Sequence, residues 1–228
     1  MKMRTITVFF LLGATTAAIS AEQSGPDISA CRYTPEVRQS LKDFWARQLA
    51  VLDPEHAVRM TQVAAAIIDG QINVLRADIA AGLSPDAILR GGGGDMPLLA
   101  LAVSACQESI SRELVTLGAS PEGNGDYTPL VLAAAKGQDR IAEFLIQHGA
   151  SVEKTDVNGH TALEDAVRQH QLAAAQVLLK HGGNPNRRVG GGGGILDLAS
   201  RSTDATDQAI AKELRAYGGI SALSSGAQ

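Results

Sequence analysis

At 228 residues the chain is long enough for one ordinary domain or one short solenoid. Apolar residues make up 45% of it but aromatics only 4%, so its core must come from small aliphatic side chains, which suits closely stacked helices better than a sheet sandwich. The formal net charge is −4 and no basic stripe is present, which argues against nucleic acid as a partner.

The first segment reads as an export signal rather than as part of the fold. Lys2 and Arg4 precede an apolar run over residues 6–12, and small residues follow up to Ala21. That run is far short of the ~20 residues a membrane-spanning helix needs. Cleavage is expected after Ala21, with Ala18 as the second choice, giving residues 1–21 as signal peptide and a periplasmic location. Glu22 would become the first residue, so no lipid attachment and no stable membrane anchor are expected. The mature chain would keep 18 basic and 24 acidic residues, for a charge of −6. In an oxidising compartment the two cysteines, Cys31 and Cys106, are candidates for a disulfide; the alternative is two buried thiols.

Residues 22–60 read as an N-terminal tail followed by capping helices. Thr34 can cap a helix over Pro35–Leu52, whose Leu41, Phe44, Trp45, Leu49 and Leu52 form an apolar stripe near helical period. Asp53-Pro54 is expected to start a second helix towards Met60.

A period then emerges. Gly82, Gly118, Gly149, Gly182 and Gly218 each end an apolar helical stretch, at spacings of 36, 31, 33 and 36. Helix starts at Leu98, Leu130, Leu163 and Leu196 are spaced 32, 33 and 33. Two independent markers therefore share one period near 33. The clearest unit is YTPLVLAAAKGQDRIAEFLIQHGA over residues 127–150, and the next begins at Asp156. Thr128 is expected to cap the first helix of its unit and Pro129 fits the first turn. Outer units are less regular. Asp78 and Arg215 stand where the clearest unit has Leu145 and Ile146, as expected where a terminal repeat meets solvent. The second unit has Ala105-Cys106 in place of the glycine between its helices.

On Thr128, Pro129, Leu130, Ala133, Ala134, Gly137, Ile141, Leu145, Ile146, Gly149 and Ala150, the sequence resembles the ankyrin repeat family. The resemblance implies an all-α solenoid of about five helix-pair repeats over residues 61–219, with short β-hairpin fingers and an N-terminal capping helix. Residues 220–228 read as a loose tail. In that register the glycine runs at 91–94 and 190–194 fall in fingers, where left-handed turns favour glycine. A phosphate loop would want Lys-Ser or Lys-Thr next, whereas Asp95-Met96 and Ile195-Leu196 follow. So many glycines also suggest fingers that move on binding.

Chemistry is sparse. His148 and His181, 33 apart, are copies of one repeat position and read as C-terminal helix residues. His160 lies in a finger. Glu164 and Asp165 are adjacent carboxylates expected to form a solvated helix face. No catalytic motif, metal site or cofactor is expected, and the chain does not read as an enzyme.

What the resemblance does imply is a concave surface for one protein partner. It assigns that role to Asp126, Tyr127, Asn158, His160, Arg187 and Arg188 on the fingers. On the helices it assigns Val131, Leu132, Lys136, Glu164, Asp165, Arg168 and Gln169. Tyr127 and Arg168 are the expected anchors. Val131 and Leu132 form either a contact patch or packing against the adjacent finger. The expected function is non-catalytic binding in the periplasm by a chain that is a monomer when free, as an immunity protein neutralising a toxic effector. The alternatives are an accessory factor for a periplasmic enzyme such as a catalase, and a secreted effector binding host proteins.

Overall fold

A computed structural model describes residues 33–52, 56–91, 94–189 and 193–221. The expected signal peptide, its cleavage site and Cys31 lie outside these, as do residues 92–93 and 190–192 of the glycine runs, on which the expectation of moving fingers fell.

Eleven helices account for most of the described residues. Helix α1 (Pro35–Leu52) comes first, and five helix pairs follow: α2 (Ala57–Ile68) with α3 (Ile72–Ala80), α4 (Leu98–Ser104) with α5 (Glu108–Thr116), α6 (Pro129–Ala135) with α7 (Asp139–Gln147), α8 (Ala162–Arg168) with α9 (Leu172–Lys180), and α10 (Ile195–Ser200) with α11 (Ala205–Ala216). Each first helix packs on its neighbours α2, α4, α6, α8, α10 in turn, and each second helix does the same along α3, α5, α7, α9, α11. The result is a two-row solenoid. None of the described helices is long and apolar enough to cross a membrane.

The scarcity of aromatics is explained by the contact between rows. Ala64, Ala100, Ala102, Ala133, Ala134, Ala162, Ala166, Ala174 and Ala175 are all fully buried, and only a methyl group lets short helices approach so closely. Leucines and isoleucines such as Leu98, Ile110, Leu130, Ile141, Leu145 and Leu178 fill the space between the rows. The five glycines that set the period are all left-handed, with φ from 86° to 101°. At each, a following N–H reaches back over the last turn, as Ala150 N does to Leu145 O at 2.9 Å, which stops the helix. Glutamines stitch one pair to the previous one: Gln107 Nε2 donates to Ile68 O and Gln138 Nε2 to Val103 O, both at 2.7 Å.

Between the helices of a pair a second left-handed position recurs. Gly70 and Gly137 fill it in two pairs, but Cys106 (φ 58°) and His170 (φ 57°) fill it in two others. A side chain there is strained, so other contacts must hold it. For His170 the contact is visible: Nδ1 lies 2.6 Å from Oδ1 of the buried Asp207. Cys106 is not a free thiol.

Helix α1 closes the N-terminal end. Thr34 Oγ1 accepts from Val37 N at 3.4 Å, the cap expected of it. Trp45 and Leu49 are buried, and Arg38 Nη1 donates to Ile68 O at 2.6 Å, satisfying a carbonyl at the end of α2. Of Leu52 only the backbone is described. The division expected at residue 60 falls inside a helix: α2 runs unbroken from Ala57 to Ile68 and is the first helix of the first pair. At the other end the chain stays anchored beyond the expected start of the tail. Ile220 N donates to Asn186 Oδ1 at 2.8 Å, and the Ser221 hydroxyl donates to Asp197.

The fingers lie along one side. The first is a hairpin of β1 (Ile88–Gly91) and β2 (Gly94–Pro97), paired antiparallel with Leu89 opposite Met96 and Arg90 opposite Asp95. Two later fingers reduce to single bridges, Thr155 with Thr161 and Arg188 with Gly194. Neighbouring fingers are laced together. Asp126 N donates to Asp95 O at 2.8 Å while Asp95 N donates to Asp126 Oδ2 at 2.9 Å. Gly125 passes so near Asp95 O that a Cβ would lie 2.4 Å from it, which excludes any side chain.

Candidate functional site: a groove between two fingers

The fingers at 123–127 and 156–160 and the helices α6 and α8 enclose a groove of about 610 Å³. Of the thirteen residues expected to meet a partner, ten line it: Asp126, Tyr127, Val131, Leu132, Lys136, Asn158, His160, Asp165, Arg168 and Gln169. Glu164 lies beneath its floor. Arg187 and Arg188 lie outside it on the next finger, where Arg187 Nη2 donates to Gly159 O at 2.9 Å and so ties that finger to its neighbour.

One wall is apolar and aromatic. Tyr127 is half-buried, and its phenol is pushed up from its ordinary value by burial and then by the neighbouring Asp126 carboxylate. Leu132 is half-buried beside it, whereas Val131 is 4% exposed and belongs to the core. Of the two alternatives for that pair, packing holds for Val131. Val157, 60% exposed at the tip of the facing finger, completes the apolar lining. The sequence offered one signal for it: a β-branched apolar residue in the turn DVNGH, where polar residues prevail. Lys136 is less free than expected, because Nζ donates to the Tyr33 hydroxyl at 2.8 Å.

The other wall is a charge cluster that arises from the finger's own turn. Asp156 Oδ1 accepts from Asn158 N and His160 N, both at 2.9 Å, and Oδ2 accepts from Asn158 Nδ2 at 3.0 Å. The turn is closed by Gly159 at φ 81° and places His160 over the start of α8. Thr161 caps α8 by accepting from Glu164 N at 3.3 Å. The equivalent Thr128 does not cap α6; its hydroxyl donates to Thr155 O at 3.3 Å across to the next finger.

Glu164 and Asp165 correct the expectation of a solvated face. Glu164 is 2% exposed, and its Oε1 accepts from Arg168 Nε at 3.2 Å and Nη2 at 2.9 Å. Arg168, expected as a free anchor, is thus held by a buried carboxylate. Asp165 is half-buried, with Oδ1 3.3 Å from His160 Nδ1, while His160 Nε2 lies 3.7 Å from Glu164 Oε1. Adjacent helix positions do not face each other, but the imidazole above them reaches both. Burial pushes the Asp165 carboxyl up to about 6; His160 opposes the shift, and the Asp156 and Glu164 carboxylates reinforce it.

The remaining histidines play local parts. His148 Nδ1 contacts Phe144 O at 2.8 Å, in keeping with its place at a helix C-terminus. A carboxylate missed in the sequence does converge on His181: Glu143 Oε1 lies 3.3 Å from Nε2 and 3.2 Å from Lys180 Nζ. Hydrogen bonds from His181 and then Lys180 hold the Glu143 carboxyl below its usual range.

Stacked helix pairs with linked fingers on one side define a helical-repeat interaction module. Residues 99–189 match the family model for ankyrin repeats, in three copies. No curated protein is similar to the chain at a significant level. Ankyrin repeats are protein–protein interaction modules, and the groove is lined by fingers and first helices of the matched region.

Proposed function

We propose that the chain is exported to the bacterial periplasm and holds one protein partner in this groove, neutralising a toxic effector as an immunity protein. The observation that carries the binding reading is the groove's composition: Tyr127, Leu132 and Val157 give an apolar contact beside fixed charges on Asp126, Asp165 and Arg168. Aromatic and apolar anchors next to directed polar groups are what a compact interface uses. Export rests on the order of basic, apolar and small residues at the N-terminus, and the bound state is a complex with a chain that is a monomer when free.

The proposal includes a Cys31–Cys106 disulfide. Its support is local. The Tyr33 hydroxyl donates to Ser104 O at 2.6 Å, so the chain two residues after Cys31 is pinned two residues before Cys106. Each residue spans at most ~3.6 Å, which brings Cys31 within reach. The strained φ of Cys106 is then held by a covalent link. Thiol titration of protein expressed in the periplasm should find no free thiol; two free thiols would remove the link.

The test of binding is affinity capture with the mature chain from the periplasm of its own source, followed by mass spectrometry. A stoichiometric partner lost on Tyr127→Ala and on Val157→Asp supports the groove, and a toxic enzyme among the captured proteins supports immunity. A partner unaffected by both substitutions excludes the groove. Arg168→Ala is a poor probe, because it would leave the buried Glu164 carboxylate unpaired. Capture of a housekeeping enzyme such as a catalase would favour the accessory role.

A further inference from the structure

The charge cluster on the groove's second wall has a feature that protein binding does not require. Asp156, His160 and Asp165 bring one donor atom each to within 4.8 Å of one another, all half-buried and all opening on the groove. We propose that these three side chains bind a first-row divalent transition cation of the Zn(II) class, with its remaining coordination positions facing the groove.

Distance carries the first part of the inference. A charge-assisted hydrogen bond between imidazole and carboxylate is about 2.7–2.9 Å long. The 3.3 Å between His160 Nδ1 and Asp165 Oδ1 is longer than that. It is close to the edge of a tetrahedral site, where donors at about 2.1 Å from a common ion lie about 3.4 Å apart. No pair of the trio is more than 4.8 Å apart, so reaching that spacing needs at most about 1.4 Å of movement.

The second part is how firmly the surrounding groups are held. Glu164 is buried and fixed by two hydrogen bonds from Arg168. Its Oε1 lies 3.7 Å from His160 Nε2, while Nδ1 of the same ring lies 3.3 Å from Asp165. A carboxylate behind the far nitrogen of a ligating imidazole is the usual support of a metal-bound histidine. Asp156 is equally prepared, since three donors from Asn158 and His160 fix its carboxylate without using all its lone pairs. One imidazole and two carboxylates suit zinc or a neighbouring first-row ion, and three protein ligands leave a position open.

The experiment is a zinc titration of the mature chain, residues 22–228, by calorimetry after chelator treatment, repeated with cobalt(II) followed by its visible absorption. One equivalent should bind. His160→Gln and Asp165→Asn should each weaken it about tenfold or more, while His181→Gln, which alters a histidine–carboxylate pair outside the groove, should leave it unchanged. Far-UV circular dichroism checks that the variants are folded. In the wild type, long-range ¹H–¹⁵N spectra of the His160 ring should show the Nδ1 resonance shifted by zinc. A His160 ring that zinc does not alter would overturn the proposal. So would zinc binding that survives His160→Gln undiminished, or that vanishes with His181→Gln.

Discussion

The N-terminal end of the helix stack is closed by an added element, while the C-terminal end is closed by changes within the last helix pair. At the first end, α1 lays Trp45 and Leu49 over α2, and Arg38 and Lys42 reach Ile68 O and Asp69 at its C-terminus. At the second, α11 is lengthened to 12 residues, where the second helix of each earlier pair has nine. Arg215 stands exposed on its outer face, and Asp204 caps its start by accepting from Thr206 N at 2.7 Å. An apolar face can be covered or replaced, and the two choices place stability differently. A cover is worth the area it buries; a replaced face avoids exposure and gains little else.

Breaking the cover should have the largest effect. Leu49→Ala should cost about 2–5 kcal/mol in urea denaturation, because the side chain is fully buried between two helices. Deleting residues 33–52 should expose α2 and cause aggregation. Unchanged stability in the Leu49 variant would end the comparison, since α1 would then cover nothing that matters.

The groove between the ends gives the next effect. In the fold the Asp165 carboxyl takes up its proton near pH 6, against an ordinary value of 3.8. The penalty for its charge is absent below about pH 4 and complete above about pH 6. Its contribution to stability therefore falls as pH rises through that window, by up to about 3 kcal/mol. In chelator-treated protein, Asp165→Asn should remove this part of the pH dependence; identical pH profiles for the variant and the wild type would show that the carboxyl is not perturbed.

At the C-terminal end, the Asp207 carboxylate is buried against His170 and lies in the first turn of α11. Asp207→Ala should cost about 1–2 kcal/mol. His170→Gly should cost less, because relief of the left-handed strain, about 1 kcal/mol, offsets the lost pair. If the two cost the same, strain at that corner is not a significant term. Smallest of all, Arg215→Leu should change stability by no more than about 0.5 kcal/mol. Its readout is solubility, since it restores the apolar face that a further repeat would cover.

Much of the fold was legible because its punctuation is local. A glycine that must be left-handed, an apolar stripe of helical period and a proline in a first turn act within a few residues, so the period near 33 and the helix α1 could be read directly. Placement of ten expected contact residues around one groove followed from the same register. What failed were statements about burial and about what a side chain touches outside its own helix. Glu164 pairs with Arg168 four residues on in the same helix, but its 2% exposure leaves no mark on the helical pattern. Thr128 looked like a cap, yet its hydroxyl reaches the next finger. Cys106 and His170 fill a corner where glycine was the expected residue, because contacts outside the corner hold them.

The sequence by itself determined the repeat, the helix ends, the place of the fingers and the need for a cover at the N-terminal end, since each depends on backbone conformation or on spacing along one helix. Only the tertiary structure decided which charges are buried, which apolar side chains remain available in the groove, and that Asp156, His160 and Asp165 point at one another. Those depend on distances between residues that a turn brings together, and the strength of each such interaction falls with distance and burial in ways that no single-chain pattern records.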